Sequence, residues 1–347
     1  MELKRLCETP GVSGREEPLR AAIRKECEDA LGKENVTVDK MGNVIAHKKG
    51  THKAAPTVML AAHMDEVGLM AVSHTDDGLL RIRAIGGVDP RVLVSKRVKV
   101  GYPAPAKDGK PAVAPLDGVI GAMAIHQQTA EDRKAVLPID QLYVDVGAKD
   151  KDEAQRVAPA GTPITFSTPY QPFGDDLLLC KAADDRVGCY NLLRLLSAKT
   201  KGDAYFVFTC QEEVGGRGAT GAAFRIMPDA AVILEGTTAN DLGDIPEAQQ
   251  VCRVGAGVAV SFMDKASIAD PEMFQEMLAL AEGGGVAYQV KQSVSGGNDG
   301  GYIQRAGTGV KTCVLSVPCR YIHSPSTVCS LQDVEAQYLL CKAYLEK

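Results

Sequence analysis

The stretch AAHMDEVGLM (residues 61–70) follows the apolar run Thr57-Val-Met-Leu60 and reads as a buried strand that stops abruptly in a histidine and two carboxylates. Apolar sequence resumes at once with Val67-Gly-Leu-Met70. A strand tip of this composition either caps a turn or holds something charged. Asp65 stands two residues beyond His63, on the same side of an extended chain. It reads as the acceptor for the second ring N–H of that histidine. Glu66 points the other way and reads as solvated.

Outward from this stretch the chain alternates between helix and strand patterns. Residues 13–31 carry helical spacing through Leu19, Ile23, Cys27 and Leu31. A Ser13/Glu16 pair at capping-box spacing opens them, with Pro18 delaying the start. Residues 36–50 read as a hairpin turning near Gly42-Asn43, and 57–62 as a strand. After about residue 70 the character changes. Short β-like pieces (79–85, 92–100, 117–125, 142–147, 163–167) are separated by Gly, Pro and Asp, with a Pro/Ala-rich loop over 101–115 and one short helix at 151–157. That is the pattern of a small all-β module or barrel. From about residue 175 the alternation resumes, with a helix from Arg186 to about Ala198 and strands at 204–210, 230–235, 257–262 and 312–318. A helix over 271–282 and a C-terminal helix from about 331, with Ser330 and Asp333 as caps, complete it. The pattern predicts an α/β fold in which one domain, residues 1–68 and 172–347, carries a β module, residues 69–171, as an insertion.

Composition narrows the function. At 347 residues the chain exceeds the size at which one core stops growing. A net charge of -5 and the lack of a Lys/Arg cluster argue against a nucleic-acid partner. No apolar run reaches the ~20 residues of a membrane span. The first residues run straight into polar sequence, so a cytoplasmic location is the expectation. The ten cysteines show no C-x-x-C spacing and read as reduced, buried small hydrophobes. Any metal must therefore be held by nitrogen and oxygen.

Four strands deliver such ligands to one edge. His63 ends the strand 57–62, Glu212 and Glu213 end 204–210, Glu235 ends 230–235, and His323 follows 312–318. In an open α/β sheet, ligands gather beyond the carboxyl ends of strands. Asp184 and Asp185 stand just before a helix, where one of them could be an N-cap. A buried cluster of His, Asp, Glu, Glu and His would repel itself without cations, and its N/O composition suits Zn²⁺, with Co²⁺ or Mn²⁺ as alternatives. Glu212 and Glu213 point in opposite directions, so one can bind a metal while the other moves a proton. His47, His52 and His74 read as surface residues, and nothing near His126 carries chemistry.

The segments PGVSGREEPLR (10–20), DKMGNVIA (39–46), AAHMDEVGLM (61–70), ADDRVG (183–188), QEEVGGRGA (211–219), SGGNDGG (295–301) and VPCRYIHSP (317–325), in that order, resemble the glutamyl/leucyl aminopeptidase family of di-zinc metallopeptidases. That family includes the tetrahedral (TET) aminopeptidases, and some members carry the label cellulase-M endoglucanase. The resemblance implies a zinc-exopeptidase-like three-layer α/β/α catalytic domain with an inserted small all-β, PDZ-like or barrel dimerisation domain. It implies two divalent ions per subunit, one held by His63, Asp184 and Glu235, the other by Asp184, Glu213 and His323, with Asp184 bridging. Glu212 would be the general base, Asp65 would orient His63, and the Asp184–Asp185 peptide would be cis. The implied reaction is removal of N-terminal residues from short peptides by a hydroxide that the two ions share. The implied partners are peptide substrates and further copies of the chain, as a dimer building a tetrahedral dodecamer.

Two positions depart from the family pattern. Glu235 stands where many relatives carry Asp, and Asn298-Asp299 where many carry Thr-Asp. The first keeps a carboxypeptidase or deacylase on the same scaffold as the alternative, with Arg320 as a candidate for a substrate carboxylate or for a structural ion pair. A glucanase is the remote alternative. It has no need of histidines among its carboxylates, and the chain has no Trp to stack on a sugar.

Overall fold

The computed structural model describes residues 1–52, 54–103 and 114–347. Most of the Pro/Ala-rich loop expected over 101–115 therefore lies outside the described residues. Before the insertion come α1 (Leu3–Glu8), α2 (Glu17–Leu31), β1 (Val36–Val38), β2 (Val44–Lys48) and β3 (Val58–His63). The next strands are β4 (Gly68–His74), β5 (Leu80–Ile85), β6 (Arg97–Val100), β7 (Leu116–Gly121), β8 (Tyr143–Asp145) and β9 (Pro163–Phe166), with α3 (Lys151–Val157) between the last two. They close into a barrel in the order β4-β5-β8-β7-β6-β9. The chain returns through β10 (Gln171–Phe173), β11 (Leu177–Cys180), α4 (Ala183–Leu195), β12 (Ala204–Thr209), α5 (Arg217–Ile226) and β13 (Ala230–Thr238). It ends with β14 (Val258–Ser261), α6 (Pro271–Gly284), β15 (Tyr288–Val290), α7 (Asp299–Ile303), β16 (Lys311–Arg320), β17 (Thr327–Ser330) and α8 (Leu331–Glu346).

Among the described residues, the strands outside the barrel form one sheet ordered β1-β2-β12-β3-β13-β16-β17-β11-β10, with β14 and β15 joined at β16. Its centre, β12-β3-β13-β16, is parallel. Parallel strands are covered on both faces, which is why these segments read as continuous apolar runs rather than alternating ones. Period-two geometry sorts their side chains between the faces. Leu60, Phe206, Phe208, Val232, Leu234 and Leu315 pack with α2, α4, α6 and α8. Met59, Ala61, Val207, Ile233 and Val314 pack with α5 and α7. The result is an α/β/α sandwich. The barrel has its own core of Leu69, Leu80, Ile82, Val98, Ile120, Val144, Ile164 and Phe166.

Four residues separate β3 from β4, and the switch between the two bodies occurs there. Gly68 is required at the crossing: a Cβ on it would stand 2.5 Å from Val12 Cγ2 and 2.8 Å from the Ile164 carbonyl oxygen. Among the described residues, no helix is long and apolar enough to cross a membrane. All ten cysteines are free and buried.

Several local expectations are corrected. Ser13 and Glu16 form no capping box, because α2 starts at Glu17 and the Ser13 hydroxyl donates to Asp65 instead (2.6 Å). The spacing of large apolar residues does not signal helices α1, α5 and α7. Ser330 caps α8 through Gln332 N–H, but the Asp333 carboxylate accepts from the Gly255 and Gly257 N–H groups, both at 2.7 Å. Glu235 does not end its strand, since β13 runs on to Thr238 beside β16.

Glu66 is not solvated. It is 2% exposed and accepts from Lys181 Nζ at 2.6 and 2.8 Å, from Arg186 Nη2 at 3.3 Å and from Gly11 N–H at 2.9 Å. Arg186 in turn donates to the carbonyls of Leu6 and Thr9. This buried cluster fastens the β3–β4 junction to the start of α4 and to residues 6–11. Truncating one member of such a group strands the others as unpaired buried charge. Glu66→Ala is expected to lower stability by about 3–5 kcal/mol, read from the denaturant midpoint. A loss below about 1 kcal/mol would mark the cluster as solvated.

Candidate metal centre

The pairing of β13 with β3 ends at Ile233 and Ala61, while its pairing with β16 continues to Thr238 and Cys319. Beyond Ile233 the strand is free of β3, and the gap receives the polar side chains. His63 closes β3. Its backbone N–H donates to Asp185 Oδ2 (3.2 Å) and its Nδ1 donates to the Asp65 carbonyl oxygen (3.0 Å). That leaves Nε2 facing Asp184 Oδ1 at 3.3 Å and Glu235 Oε1 at 3.1 Å. The main chain of Asp65, rather than its carboxylate, thus takes the ring proton. The carboxylate lies 3.6 Å from Nδ1 and accepts from Ser13 Oγ, Glu212 N–H (2.9 Å) and Glu213 N–H (3.1 Å). It shapes the turn that presents both glutamates.

His323 lies beyond β16 with φ 58°. Its Nδ1 donates to the Gly87 carbonyl oxygen of the barrel (3.1 Å), and Nε2 stands 3.3 Å from both Asp184 Oδ2 and Glu213 Oε2. Asp184 therefore lies between two imidazoles. Its peptide bond to Asp185 is cis. Asp185 is also near His63 and Glu235, but its oxygens accept from the His63 and Gly188 N–H groups. Asp184 Oδ1 and Glu235 Oε2 are buried without any hydrogen-bond partner. Gly236 makes the room, since a Cβ there would come within 2.9 Å of Asp184 Oδ1.

These separations test whether the residues suit a metal. Ligand atoms bonded at about 2.0–2.1 Å to one tetrahedral ion stand about 3.3–3.4 Å apart. The imidazole–carboxylate distances of 3.1–3.3 Å match that spacing. Both imidazoles spend Nδ1–H on a carbonyl, the arrangement that leaves Nε2 to a metal.

Electrostatics point the same way. Burial, opposed by the imidazoles and aided by neighbouring carboxylates, pushes Glu213 up to about 7 and Glu235 to about 8, and holds Glu212 well above the usual carboxylate range. Burial also opposes the charge on Asp184, but the imidazoles of His323 and His63 overcome it and lower its pKa. His323 reaches about 9: desolvation disfavours its charged form, yet Asp184 and Glu213 outweigh that. Carboxylates that must otherwise take up protons are relieved by a divalent cation. The donor set fits such an ion.

A cavity of about 260 Å³ opens from the cluster, with Glu212, Glu235, Thr237 and Asn298 on its walls. Glu213 does not line it and faces His323 instead, so the two glutamates do diverge. Arg320 forms an ion pair with Asp241, at 2.7 and 2.8 Å. Three buried groups escaped the sequence reading: Ser13 on Asp65, Asp185 on the His63 main chain, and Asp299, which accepts from the Thr209 hydroxyl. Each acts through a residue distant in sequence, so no local spacing signals it. His47 is 31% exposed, stacked on Tyr205 and within 2.9 Å of Asp203.

Comparison with known proteins agrees with this geometry. The model of the M42 glutamyl aminopeptidase family matches residues 42–340. The lysyl aminopeptidase of Pyrococcus furiosus is 34% identical, over 99% of this chain and 96% of its own. Among solved structures, the aminopeptidase APDkam598 of Desulfurococcus kamchatkensis superposes with a TM-score of 0.91 at 34% identity, over 99% of this chain and 93% of that one. The Pyrococcus horikoshii TET1 peptidase, described as assembling into a tetrahedron or a large octahedral shell, gives 0.84 at 30% identity, over 99% and 98%. The chain belongs to the M42 glutamyl aminopeptidase family and is a hydrolase acting on peptide bonds.

Proposed function

We propose that this chain removes the first residue from short peptides with a free α-amine, using two divalent ions, zinc first among them, and Glu212 as the proton carrier. One observation carries the reading: the Asp184 carboxylate reaches one imidazole with each oxygen, at 3.3 Å on both sides. His63, Asp184 and Glu235 would hold one ion, and Asp184, Glu213 and His323 the other. When bound, such ions polarise a scissile carbonyl and make water a nucleophile at neutral pH.

The chain's own residues supply the rest. Glu212 lines the cavity beside Glu235 and has no ion-pair partner among the described residues. Its carboxylate is free to take a proton from the attacking water and return it to the leaving amine. The carboxylates of Glu212 and Glu235 on the cavity wall suit an α-ammonium. With Arg320 committed to Asp241, the carboxypeptidase alternative loses its candidate anchor. Glu235 and Asn298 replace shorter or different side chains of the family pattern without removing an oxygen donor from the site.

The homo-oligomer proposed for this chain draws support from the P. horikoshii relative and from Val119, Met123, Ile125 and Val136, exposed apolar side chains between the start of β7 and β8. Where exposed apolar side chains adjoin, they mark a contact surface. Light scattering of the purified protein is expected to give a mass of at least a dimer.

Two measurements test the active site. Aminoacyl p-nitroanilides with a free amine should be cleaved and their N-acetyl counterparts should not. Glu212→Gln should lower kcat roughly 10²–10⁴-fold while its bound metal stays at the wild-type level. Cleavage of acetylated substrates alone would overturn the aminopeptidase assignment. Removing metal with a chelator should lower the unfolding temperature, and Zn²⁺, Co²⁺ or Mn²⁺ should restore it. Asp184→Asn should bind less metal by elemental analysis. An unfolding temperature indifferent to chelation would argue against a resident ion.

A further inference from the structure

Lys291 follows β15 and donates its backbone N–H to the Val260 carbonyl (3.0 Å). The residue is only 5% exposed, and it lines the same cavity as Glu212, Glu235 and Asn298. Its Nζ has a single long hydrogen bond, to the Ser295 carbonyl at 3.4 Å. Among the described residues no carboxylate lies within ion-pair distance of it. Asp264 is close enough to act on it electrostatically, but its carboxylate accepts from Ala266 N–H, Ser267 N–H, Ser267 Oγ and Asn298 Nδ2. A buried ammonium with three donors and one weak acceptor is costly unless something else meets it. Burial pulls its pKa below the ordinary lysine value.

The other nearby cations are accounted for. Arg320 is paired with Asp241 and Arg253 with Glu247, and Lys265 is exposed. Family membership does not set the first-residue preference, since the family carries a glutamyl name and one matched relative a lysyl name. The cavity therefore has carboxylates from the strand ends and one ammonium from the segment after β15. Glu235 is among the charges that act on Lys291. Lys291 thus shares a cavity with the carboxylate cluster and is within electrostatic range of it.

We propose that Lys291 is a specificity-determining residue that selects peptides whose first residue has a carboxylate side chain, glutamate or aspartate. The α-ammonium of such a residue meets the carboxylate wall while its side chain meets Lys291. This rests on the aminopeptidase reading above and adds the substrate class to it. A neutral isostere such as glutamine leaves the ammonium buried and unpaired, and a lysine side chain meets like charge.

The test measures kcat and KM for Glu-, Asp-, Gln-, Leu- and Lys-p-nitroanilide on the metal-loaded wild-type enzyme, Lys291→Met and Lys291→Arg. Wild type should favour Glu over Gln by about 30-fold or more in kcat/KM, the effect of leaving one partner of a buried charge pair unmatched. Lys291→Met should lower kcat/KM for Glu far more than for Leu, chiefly through KM, and Lys291→Arg should keep the order Glu over Gln. A wild-type Glu/Gln ratio near one, with Leu cleaved, would overturn the role of Lys291 and leave the aminopeptidase reading intact. No cleavage of any free-amine substrate would sink both. Leu-Ala and Leu-Ala-amide separate the other source of a carboxylate. If Lys291→Met selectively loses the free-acid dipeptide and not the acidic side chain, Lys291 reads the C-terminus and the proposal is wrong.

Discussion

Like charge crowded into a dry space is the constraint on which the rest of this molecule depends. Asp65, Asp184, Asp185, Glu235 and Asp299 are all at least nine-tenths buried at one end of the sheet. Such a group is costly wherever an oxygen lacks a hydrogen bond or a neutralising cation. Backbone N–H groups serve Asp65 and Asp185, and the Thr209 hydroxyl serves Asp299. Asp184 and Glu235 are left to the imidazoles, and each of them, like Asp299, keeps one oxygen lacking any hydrogen bond. The parting of β13 from β3 beyond Ile233 creates the space in which this arrangement is possible.

Much of this could be read from the sequence because the physics that places it is local. A parallel strand buried on both faces is an apolar run, and the first charged residue after it marks the sheet edge. That logic puts His63 and Glu212 at the sheet edge directly. It misjudged Glu235, because strand β13 continues past its charge through Gly236-Thr237, residues without the apolar signal of a core strand. The cavity-facing role of Gly236 explains why no larger residue stands there.

The errors share a cause. Parity along β3 correctly turned Glu66 away from His63, but could not show that Lys181 and Arg186, more than a hundred residues further on, bury the opposite side as well. Ser13 and Glu16 have the spacing of a helix cap, yet Ser13 serves Asp65, and Glu16 accepts from Gly14 and Gln211 N–H groups. Helix α5 buries alanines and glycine, Gly218, Ala219, Ala222 and Ala223, whose small side chains give little hydrophobic contrast to a periodicity argument. Long-range polar pairing and packing by small residues leave no mark on the spacing of large apolar ones.

The hydrogen bond from His323 to Gly87 crosses from the sandwich to the barrel. Gly86, next to it, packs so tightly that a Cβ would stand 2.8 Å from Val67 and 3.3 Å from Glu213. The barrel is therefore not a passenger that could be exchanged among related chains as a sealed cassette. Its Gly86-Gly87 turn is the wall against which one imidazole is aimed, and a graft that kept the barrel's outer surface but altered this turn would leave that ring without its hinge. The insertion and the chemistry are inherited together.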